Sequence, residues 1–323
     1  MKNQNNTIKI KLKKGWPGIV FLLLGVIPLL ILTFIIFILI INSKLAVSTV
    51  GLGSLFSTQV SGVFSATNQN LYGLIPAIWG TILLLIVCMI IAIPVSLAMA
   101  VFASEFTLGF LGKGMRMILG ILGGIPSVIY ALMSVVFAQI FIIPKFCGTG
   151  IPADKLPVPI NTLPFNTSTL LGGIMLSMLI IPFLAPLYCD AIEDVPKSQK
   201  EASLGLGASR WYTLWNVTIP HALSGITSAS TLGVLKAMGD VVIVGLVIGF
   251  GSSLPNPLFD IFKATPPLSS AGAGFMGGFT QSAASPLRNS VAYFTAFLLL
   301  FIAIIFLVLI PVFQKRFKRR FSK

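Results

Sequence analysis

Two charged residues, Lys236 and Asp240, interrupt the apolar sequence LGVLKAMGDVVIVGLVIG. An ionisable side chain inside an apolar segment costs about 2.5 to 3.5 kcal/mol on insertion scales, so it usually faces a pathway or a partner. The spacing of four residues would place both side chains on one face of a helix. Two interpretations stay open. Either Lys236 and Asp240 face a pathway or a partner, or the two charges neutralise each other and only position the helix.

A second polar stretch, residues 201–220, reads EASLGLGASRWYTLWNVTIP. Acidic residues and Pro196 before it favour the start of a helix near Val195, because proline fits a first turn and carboxylates interact well with the positive end of the helix dipole. Glycines weaken the end of that helix, Ser209 can cap a second one, and Pro220 opens the next apolar run. The sequence thus predicts a helix, a turn and a second helix along the membrane surface.

The aromatic residues of this stretch allow two interpretations. Trp211, Tyr212 and Trp215 suit an interfacial amphipathic helix, with their rings in the lipid headgroup layer. The glycine-containing tract before them instead favours a docking element, because small residues let another protein approach the backbone closely. We prefer the docking interpretation, since the interfacial helix does not explain the glycines.

The composition identifies the setting of both stretches. Of the 323 residues, 56% are hydrophobic and 9% are charged, whereas a soluble domain has about 25% charged residues. The net charge of +14 does not indicate nucleic-acid binding, because the lysines and arginines flank apolar runs rather than forming a solvated face. Three cysteines and a single histidine provide no disulfide framework and no metal site. We therefore expect an integral membrane protein surrounded by lipid.

Six apolar runs are each long enough to cross a hydrocarbon core of about 30 Å at about 1.5 Å per residue. The first is expected to be a retained helix, since it is longer than the core of a signal peptide. Pro94 and Pro126 predict kinks in the second and third helices. The expected fold class is an all-α integral membrane protein with six transmembrane helices. The runs are residues 16–41, 74–103, 117–143, 170–189, 222–250 and 291–313.

Loop cations predict the orientation of these helices. The termini and the even-numbered loops hold 16 lysines and arginines, whereas the odd-numbered loops hold 5, so the richer side is cytoplasmic by the positive-inside rule. Both termini of this multi-pass plasma-membrane protein are then cytoplasmic. The predicted segments are a basic N-terminus 1–15, a first transmembrane helix 16–41, an external loop 42–73, a core of five helices 74–313 with a cytoplasmic loop 190–221, and a basic tail 314–323.

The segment 251–290, between the last two predicted helices, is rich in Gly, Ser, Ala and Pro. Its apolar patches would allow it to re-enter the membrane, where its backbone would need protein around it. We prefer a plain surface loop, because the small and polar residues suit exposure.

The sequence contains no pattern typical of an ATPase or a membrane enzyme. No G-x-x-x-x-G-K-[ST] segment occurs, so the chain is not expected to bind the phosphates of ATP in a Walker loop. A metalloprotease His-Glu-x-x-His pattern and a nucleophile elbow are also absent. We expect a transporter subunit without a cofactor of its own. Its energy would come from a partner or, in the rival interpretation, from an ion gradient, as in secondary transporters. A passive channel is a third alternative.

The stretch 201–220 resembles the signature of ABC importer permease subunits, in the loop that contacts the ATPase. That signature reads Glu-Ala-Ala, three residues, Gly, nine residues, Ile-x-Leu-Pro, and this chain matches its spacings with conservative replacements. The resemblance implies a coupling helix that sits in a groove of a nucleotide-binding subunit. The coupling residues that it implies are Glu201, Ala202, Ser203, Gly207 and Pro220.

Two further strings resemble phosphate-transport permeases: residues 71–106 and the sequence GIPSVIY at 124–130. The N-terminal helix before them suits the PstC-type subunit better than its PstA-type partner. At the charged pair, those permeases and their sulfate and molybdate relatives read Arg-Ala-x-Gly-Glu. This chain has Lys236 and Asp240 at the two charged positions. A point donor therefore replaces a planar guanidinium.

The resemblance implies a type I ABC importer fold and import of inorganic phosphate. The implied partners are two ABC ATPase subunits that bind ATP-Mg, a second, PstA-like permease subunit and an external phosphate-binding protein. Sulfate, molybdate or tungstate is the alternative cargo.

Overall fold

The computed structural model describes residues 16–58, 72–107, 110–137, 168–249, 254–276 and 285–321, and the elements of these residues are helices. The predicted all-α class is confirmed for this part of the chain. The predicted basic N-terminus 1–15, the middle of the external loop and the end of the third run lie outside it. The helices are α1 Trp16–Thr49, α2 Leu52–Leu55, α3 Ile75–Val101, α4 Phe110–Gly123, α5 Ser127–Phe137, α6 Thr169–Glu193, α7 Lys197–Gly205, α8 Arg210–Thr213, α9 Ile219–Gly239, α10 Val242–Val247, α11 Leu268–Phe275 and α12 Pro286–Phe321.

Four helical segments are long and apolar enough to cross a membrane: Leu22–Thr49, Ile75–Phe106, Thr169–Glu193 and Pro286–Leu309. A fifth is counted if α4 and α5, which meet at an angle of 89°, form one broken span. Pro126 explains the break, because proline has no N–H and keeps the residue before it out of the helical conformation. The described residues thus contain four or five such spans, and the prediction of six is not confirmed.

The predicted fifth run, 222–250, is not a single helix. The helix α9 ends at Gly239, Asp240 takes an extended conformation, and the short helix α10 follows. The Asp240 carboxylate accepts a hydrogen bond from the Ile243 N–H at 2.8 Å. The expectation of one continuous helix is wrong because Asp240 starts a new helix instead of continuing the first.

The helix α6 lies at the centre of the bundle, where it packs against α3, α4, α9 and α10. Two of its glycines allow close approach of neighbouring side chains. A Cβ at Gly172 would lie 2.4 Å from the Ile248 side chain, and a Cβ at Gly173 would lie 2.4 Å from that of Val87. These small residues let α3 and the end of α10 lie directly on α6.

The helix α1 runs antiparallel to α12, and Ser290 joins the two. The Ser290 hydroxyl accepts a hydrogen bond from the Ala46 N–H at 2.8 Å and donates one to the Asn42 carbonyl at 2.6 Å. Large apolar side chains between Leu22 and Phe37 are exposed on α1, as expected of a helix that faces lipid. The helix continues past the predicted end of the first run, as far as Thr49.

The segment that precedes α12 is not a plain surface loop. Residues 265–271 are buried, and α11 packs between α3 and α12. The Trp79 indole donates a hydrogen bond of 2.6 Å to the Leu258 carbonyl, and the Leu170 N–H donates one of 2.8 Å to the Ile261 carbonyl. The surface-loop interpretation is wrong for residues 265–271, whose mostly small side chains fit between helices, whereas Leu258, Phe259 and Phe262 are exposed as expected of a loop.

Gly80 is the position where α3 contacts this buried segment most closely. A Cβ at Gly80 would lie 2.5 Å from the Thr265 carbonyl oxygen and 2.8 Å from the Pro266 carbonyl oxygen. Backbone atoms cannot turn aside, so we expect Gly80→Ala to lower the free energy of unfolding by about 1 to 3 kcal/mol. A lower midpoint of thermal unfolding in detergent would measure this. Gly120→Ala is the control, since no atom lies within 4 Å of a Cβ there, and equal midpoints for the two variants would contradict the packing.

Candidate functional site

Asp240 lies between α9 and α10, where it holds three segments together. Its carboxylate caps α10 through the Ile243 N–H, and the Ser127 side chain at the start of α5 lies beside it. Its backbone carbonyl accepts a hydrogen bond of 3.2 Å from the Ser269 hydroxyl of α11. The expectation that Asp240 shares a helix face with Lys236 is therefore wrong, because Asp240 caps the next helix.

Lys236 lies in the last turn of α9 and faces an aromatic ring. Its Nζ is 4.0 Å from the centroid of the Phe183 ring on α6. In the described part of the chain, no carboxylate lies within 4.0 Å of this Nζ. The ring attracts the ammonium by about 0.5 to 2 kcal/mol without removing its charge. A direct ion pair between Lys236 and Asp240 is thus not the arrangement found.

Three irregularities of the helices meet around these two residues. They are the break between α4 and α5, Pro182 within α6, and the break between α9 and α10. A Cβ at Gly123 would lie 2.9 Å from the Pro182 carbonyl oxygen, so α4 ends directly against α6 at this proline. Irregular backbone inside a membrane bundle is tolerated where it is buried in protein or lines a pathway. This junction is our candidate site for an anion.

The chemistry available at the junction is electrostatic. Lys236 offers a positive charge and three N–H donors, and Phe183 provides an apolar wall beside it. The Asp240 carboxylate already accepts a hydrogen bond from α10 and lies beside Ser127 of α5. The described residues include no group of three or more His, Cys, Asp or Glu that could hold a metal ion. The arrangement fits the passage of an anion past one cation.

The stretch 195–220 contains the predicted helix, turn and second helix. The first helix, α7, begins at Lys197, and Gly207 in the turn has φ of +88°, a conformation that suits glycine. The Ser209 hydroxyl accepts a hydrogen bond of 3.2 Å from the Tyr212 N–H and so caps α8. The predicted order of elements, the turn glycine and the cap are confirmed.

The tip of this loop projects from the bundle. Glu201, Ala202 and Gly207 are exposed, and Leu206 is 90% exposed. A Cβ at Gly207 would meet no atom within 4 Å. The positive φ, not internal packing, therefore accounts for this glycine, and the surface around it is open to a partner.

A side-chain hydrogen bond joins the two helices of the loop. The Ser203 hydroxyl lies 2.9 Å from the Thr213 hydroxyl, and Pro220 lies in the first turn of α9, where proline fits well. Trp211 and Trp215 make an edge-to-face contact with their centroids 5.8 Å apart, and both are exposed. The exposed aromatic residues and the exposed glycine tract thus form different parts of the loop surface.

Two cations that the sequence identifies only as loop residues form ion pairs. The Lys200 Nζ on α7 lies 2.6 Å from the Glu105 Oε1, and Arg116 on α4 pairs with Asp190 and Glu193 at the end of α6. The rule used to orient the helices counts cations and does not identify their partners. A signal was nevertheless present in the sequence, because these acids lie at the ends of apolar runs on the same side as the cations.

Comparison with known proteins places residues 92–323 in the family model described as "Binding-protein-dependent transport system inner membrane component". The phosphate transport system permease protein PstC of Haemophilus influenzae is 31% identical over 59% of this chain and 62% of that protein. PstC of Xylella fastidiosa is 31% identical over 64% of each chain. The probable ABC transporter permease protein YqgH of Bacillus subtilis is 34% identical over 58% of this chain and 56% of its own length. The chain therefore spans less than two thirds of these relatives.

Solved structures share the fold at low sequence identity. A chain of a bacterial alginate ABC transporter, in complex with an alginate pentasaccharide-bound periplasmic protein, matches with a TM-score of 0.62 and 14% identity over 94% of this chain and 95% of its own. A chain of the MetNI methionine ABC transporter in an inward-facing conformation matches with a TM-score of 0.50 and 17% identity over 74% of this chain and 95% of its own. These likenesses concern the fold alone.

Proposed function

Because the chain belongs to the family of binding-protein-dependent transport system inner membrane components, we propose that it is the permease subunit of an ATP-driven ABC importer for inorganic phosphate. The family match over residues 92–323 is the observation that carries the importer assignment. The printed names of the PstC proteins support phosphate as the cargo. Sulfate, molybdate or tungstate is the alternative cargo, since a lysine is a point charge that attracts any of these oxyanions.

We propose that α9 and α10 together form a sixth crossing. The 21 residues of α9 extend over about 31 Å at about 1.5 Å per residue. Its hydroxyls donate to carbonyls one turn earlier, as from Thr227 to Leu223 at 2.7 Å, which reduces the cost of burying them. Six crossings would put both termini and the loop 190–221 on one side. The positive-inside rule makes that side the cytoplasm of a cell-membrane protein.

The exposed loop is proposed as the coupling element of the importer. Two ABC ATPase subunits would bind ATP-Mg and receive the loop, since this chain has no Walker pattern of its own. The open tip at Glu201, Ala202 and Gly207 suits a groove of such a partner, while Ser203 and Pro220 maintain the shape of the loop. A second, PstA-like permease subunit and an external phosphate-binding protein would complete the assembly.

Lys236 is proposed as the cation of the anion pathway. Asp240 would hold the junction of α5, α10 and α11, because it accepts hydrogen bonds from α10 and α11 and lies beside Ser127 of α5. Separation of these helices during ATP-driven alternating access would then change the access of an anion to Lys236. This assigns binding to Lys236 and gating to the contacts of Asp240.

Purification of the detergent-solubilised chain from its native host tests the proposal. We expect two copies of an ATPase and a second permease to be purified with it. In proteoliposomes, a phosphate-loaded binding protein should stimulate ATP hydrolysis by this assembly. Stronger stimulation by a sulfate-loaded or molybdate-loaded protein would reassign the cargo. A lone homo-oligomer that transports phosphate without ATP would support the gradient-driven alternative and overturn the proposal.

A further inference from the structure

Lys200 connects the exposed loop to two other elements of the bundle. Its Nζ donates to the Glu105 Oε1 at 2.6 Å and to the Ile192 carbonyl at 3.2 Å. Glu105 belongs to the π-helical turn Phe102–Phe106 that follows α3, and Ile192 lies in the last turn of α6. One side chain of α7 thus reaches the ends of two helices of the bundle.

The ion pair between Lys200 and Glu105 is partly withdrawn from solvent. The two side chains are 19% and 24% exposed, respectively. Removal of one partner would leave the other charge partly buried and uncompensated, which is costly. The next residue, Glu201, is exposed, because successive side chains of a helix point about 100° apart. The helix α7 therefore presents Glu201 outward and Lys200 inward.

Glu105 lies in a type of segment that is often found at functional sites. A π-helical turn is a rare interruption of α-helical hydrogen bonding. A second such turn, Leu214–Thr218, joins α8 to α9. The helix α7 is bonded beside both turns, to the first through Lys200 and to the second through the contact of Ser203 with Thr213. It thus contacts the turn that ends α3 and the residue before the turn that joins the exposed loop to α9.

We propose that Lys200 is a positioning residue that transmits a displacement of α7 to the ends of α3 and α6. The proposal rests on the proposed function, since it assumes that α7 docks on an ATPase subunit. The helix α6 carries Phe183, so movement of its end would change the surroundings of Lys236. Arg116 joins α4 to α6 within the bundle, whereas Lys200 joins the loop to the bundle.

The complete importer in proteoliposomes allows phosphate carried per ATP hydrolysed to be measured. Lys200→Met and Glu105→Gln are each expected to reduce this ratio about tenfold, because the first removes a charge-assisted hydrogen bond and the second removes the negative charge that compensates the partly buried Lys200. ATP hydrolysis in the absence of phosphate should remain near the rate of the unmodified importer. Lys197→Met is the matched control. It removes an exposed lysine from the first residue of the same helix and should leave the ratio unchanged.

Exchanging the charges of Lys200 and Glu105 tests whether the ion pair itself, rather than a general loss of protein stability, accounts for the lower ratio. Lys200→Glu and Glu105→Lys should each lower the ratio, and the double variant should recover part of it, because it restores the ion pair but not the hydrogen bond to the Ile192 carbonyl. An unchanged ratio in Lys200→Met, or no recovery in the double variant, would overturn the inference. Loss of the ATPase subunits from the purified Lys200→Met assembly would also overturn it, because assembly rather than positioning would then be affected.

Glu201→Lys distinguishes failure of this inference from failure of the proposed function. If Glu201→Lys uncouples the importer while Lys200→Met remains coupled, the docking of α7 stands and the role of Lys200 is wrong. If no ATPase subunit is purified with the unmodified chain, the proposed function itself is wrong.

Discussion

Replacement of Lys236 by alanine is expected to reduce phosphate uptake by about 10- to 100-fold. A hydrogen bond to a charged group contributes about 1.5 to 3 kcal/mol, and about 1.4 kcal/mol corresponds to a factor of ten. The Lys236 Nζ lies over the Phe183 ring and has no carboxylate of the described residues within 4.0 Å. No direct ion pair therefore occupies its charge, although the Asp240 carboxylate is close enough to interact with it. Uptake of labelled phosphate into proteoliposomes that hold the complete importer measures the effect.

Two control variants distinguish the loss of the Lys236 charge from other effects of a substitution. Lys236→Arg keeps the charge and introduces the residue of the phosphate permeases that this chain resembles, so most of the uptake should remain. Lys113→Ala removes an exposed cation of α4 and should leave uptake unchanged. Uptake by Lys236→Ala at the level of the unmodified importer would contradict the role of Lys236 in the pathway.

Mutual neutralisation of Lys236 and Asp240 leads to a different expectation. If the two charges only balanced each other, the double variant Lys236→Ala, Asp240→Ala would recover uptake. We expect no recovery, because Asp240→Ala also removes a helix cap, the hydrogen bond from the Ile243 N–H, that contributes about 1 kcal/mol. Recovery in the double variant would support neutralisation instead.

The loop 195–220 was predictable because its signals are local. Pro196, Gly207 and Ser209 each determine a feature of the backbone within a few residues: a helix start, a positive φ and a helix cap. The structure ends α7 at Gly205 and caps α8 at Ser209, as predicted. It begins α7 at Lys197 rather than near Val195, and it has a positive φ at Gly207 that was not predicted. The exposure of the tip follows from the same order of elements. The helices α7 and α8 contact each other on one side of the loop, so its tip lies outside that contact.

The break at Asp240 was not predictable from the periodicity of the apolar run. A carboxylate within such a run fits a continuing helix and also the cap of a new one. Contacts with Ser127 of α5 and Ser269 of α11 accompany the second arrangement. These partners are remote in the sequence, so the sequence could locate the charged pair but not its geometry.

Long-range contacts also explain why two other features were missed. The rule that orients membrane helices counts Lys200 without its partner Glu105, which lies 95 residues away. Small residues such as Ser269 and Ala271 favour a loop when only local composition is considered. They are buried here because Gly80 allows the backbone of α3 to lie against the segment that precedes them.

Glu201→Lys is expected to uncouple ATP hydrolysis from phosphate import, with uptake reduced at least about tenfold. A reversed charge at an interface costs several kcal/mol when it meets a like charge or loses its partner. The Glu201 side chain is exposed, and it makes no hydrogen bond or ion pair with the described residues. Its replacement should therefore leave the packing and membrane insertion of the chain intact. Uptake and ATP hydrolysis, measured on the same proteoliposomes, give the degree of coupling.

Asp194→Lys makes the same change of charge at another exposed position and is the matched control. Asp194 is the C-cap of α6, where a cation interacts well with the dipole of that helix, and the loss of one acid before α7 costs little at an exposed position, so the variant should remain coupled. Normal coupling in Glu201→Lys would contradict the docking of α7 and leave Trp211 and Trp215 as the surface of an interfacial helix. Uncoupling by Glu201→Lys has one further consequence. Since Lys200 and its bond to Glu105 lie on the inner face of α7, the defect would lie between α7 and its partner rather than within the bundle.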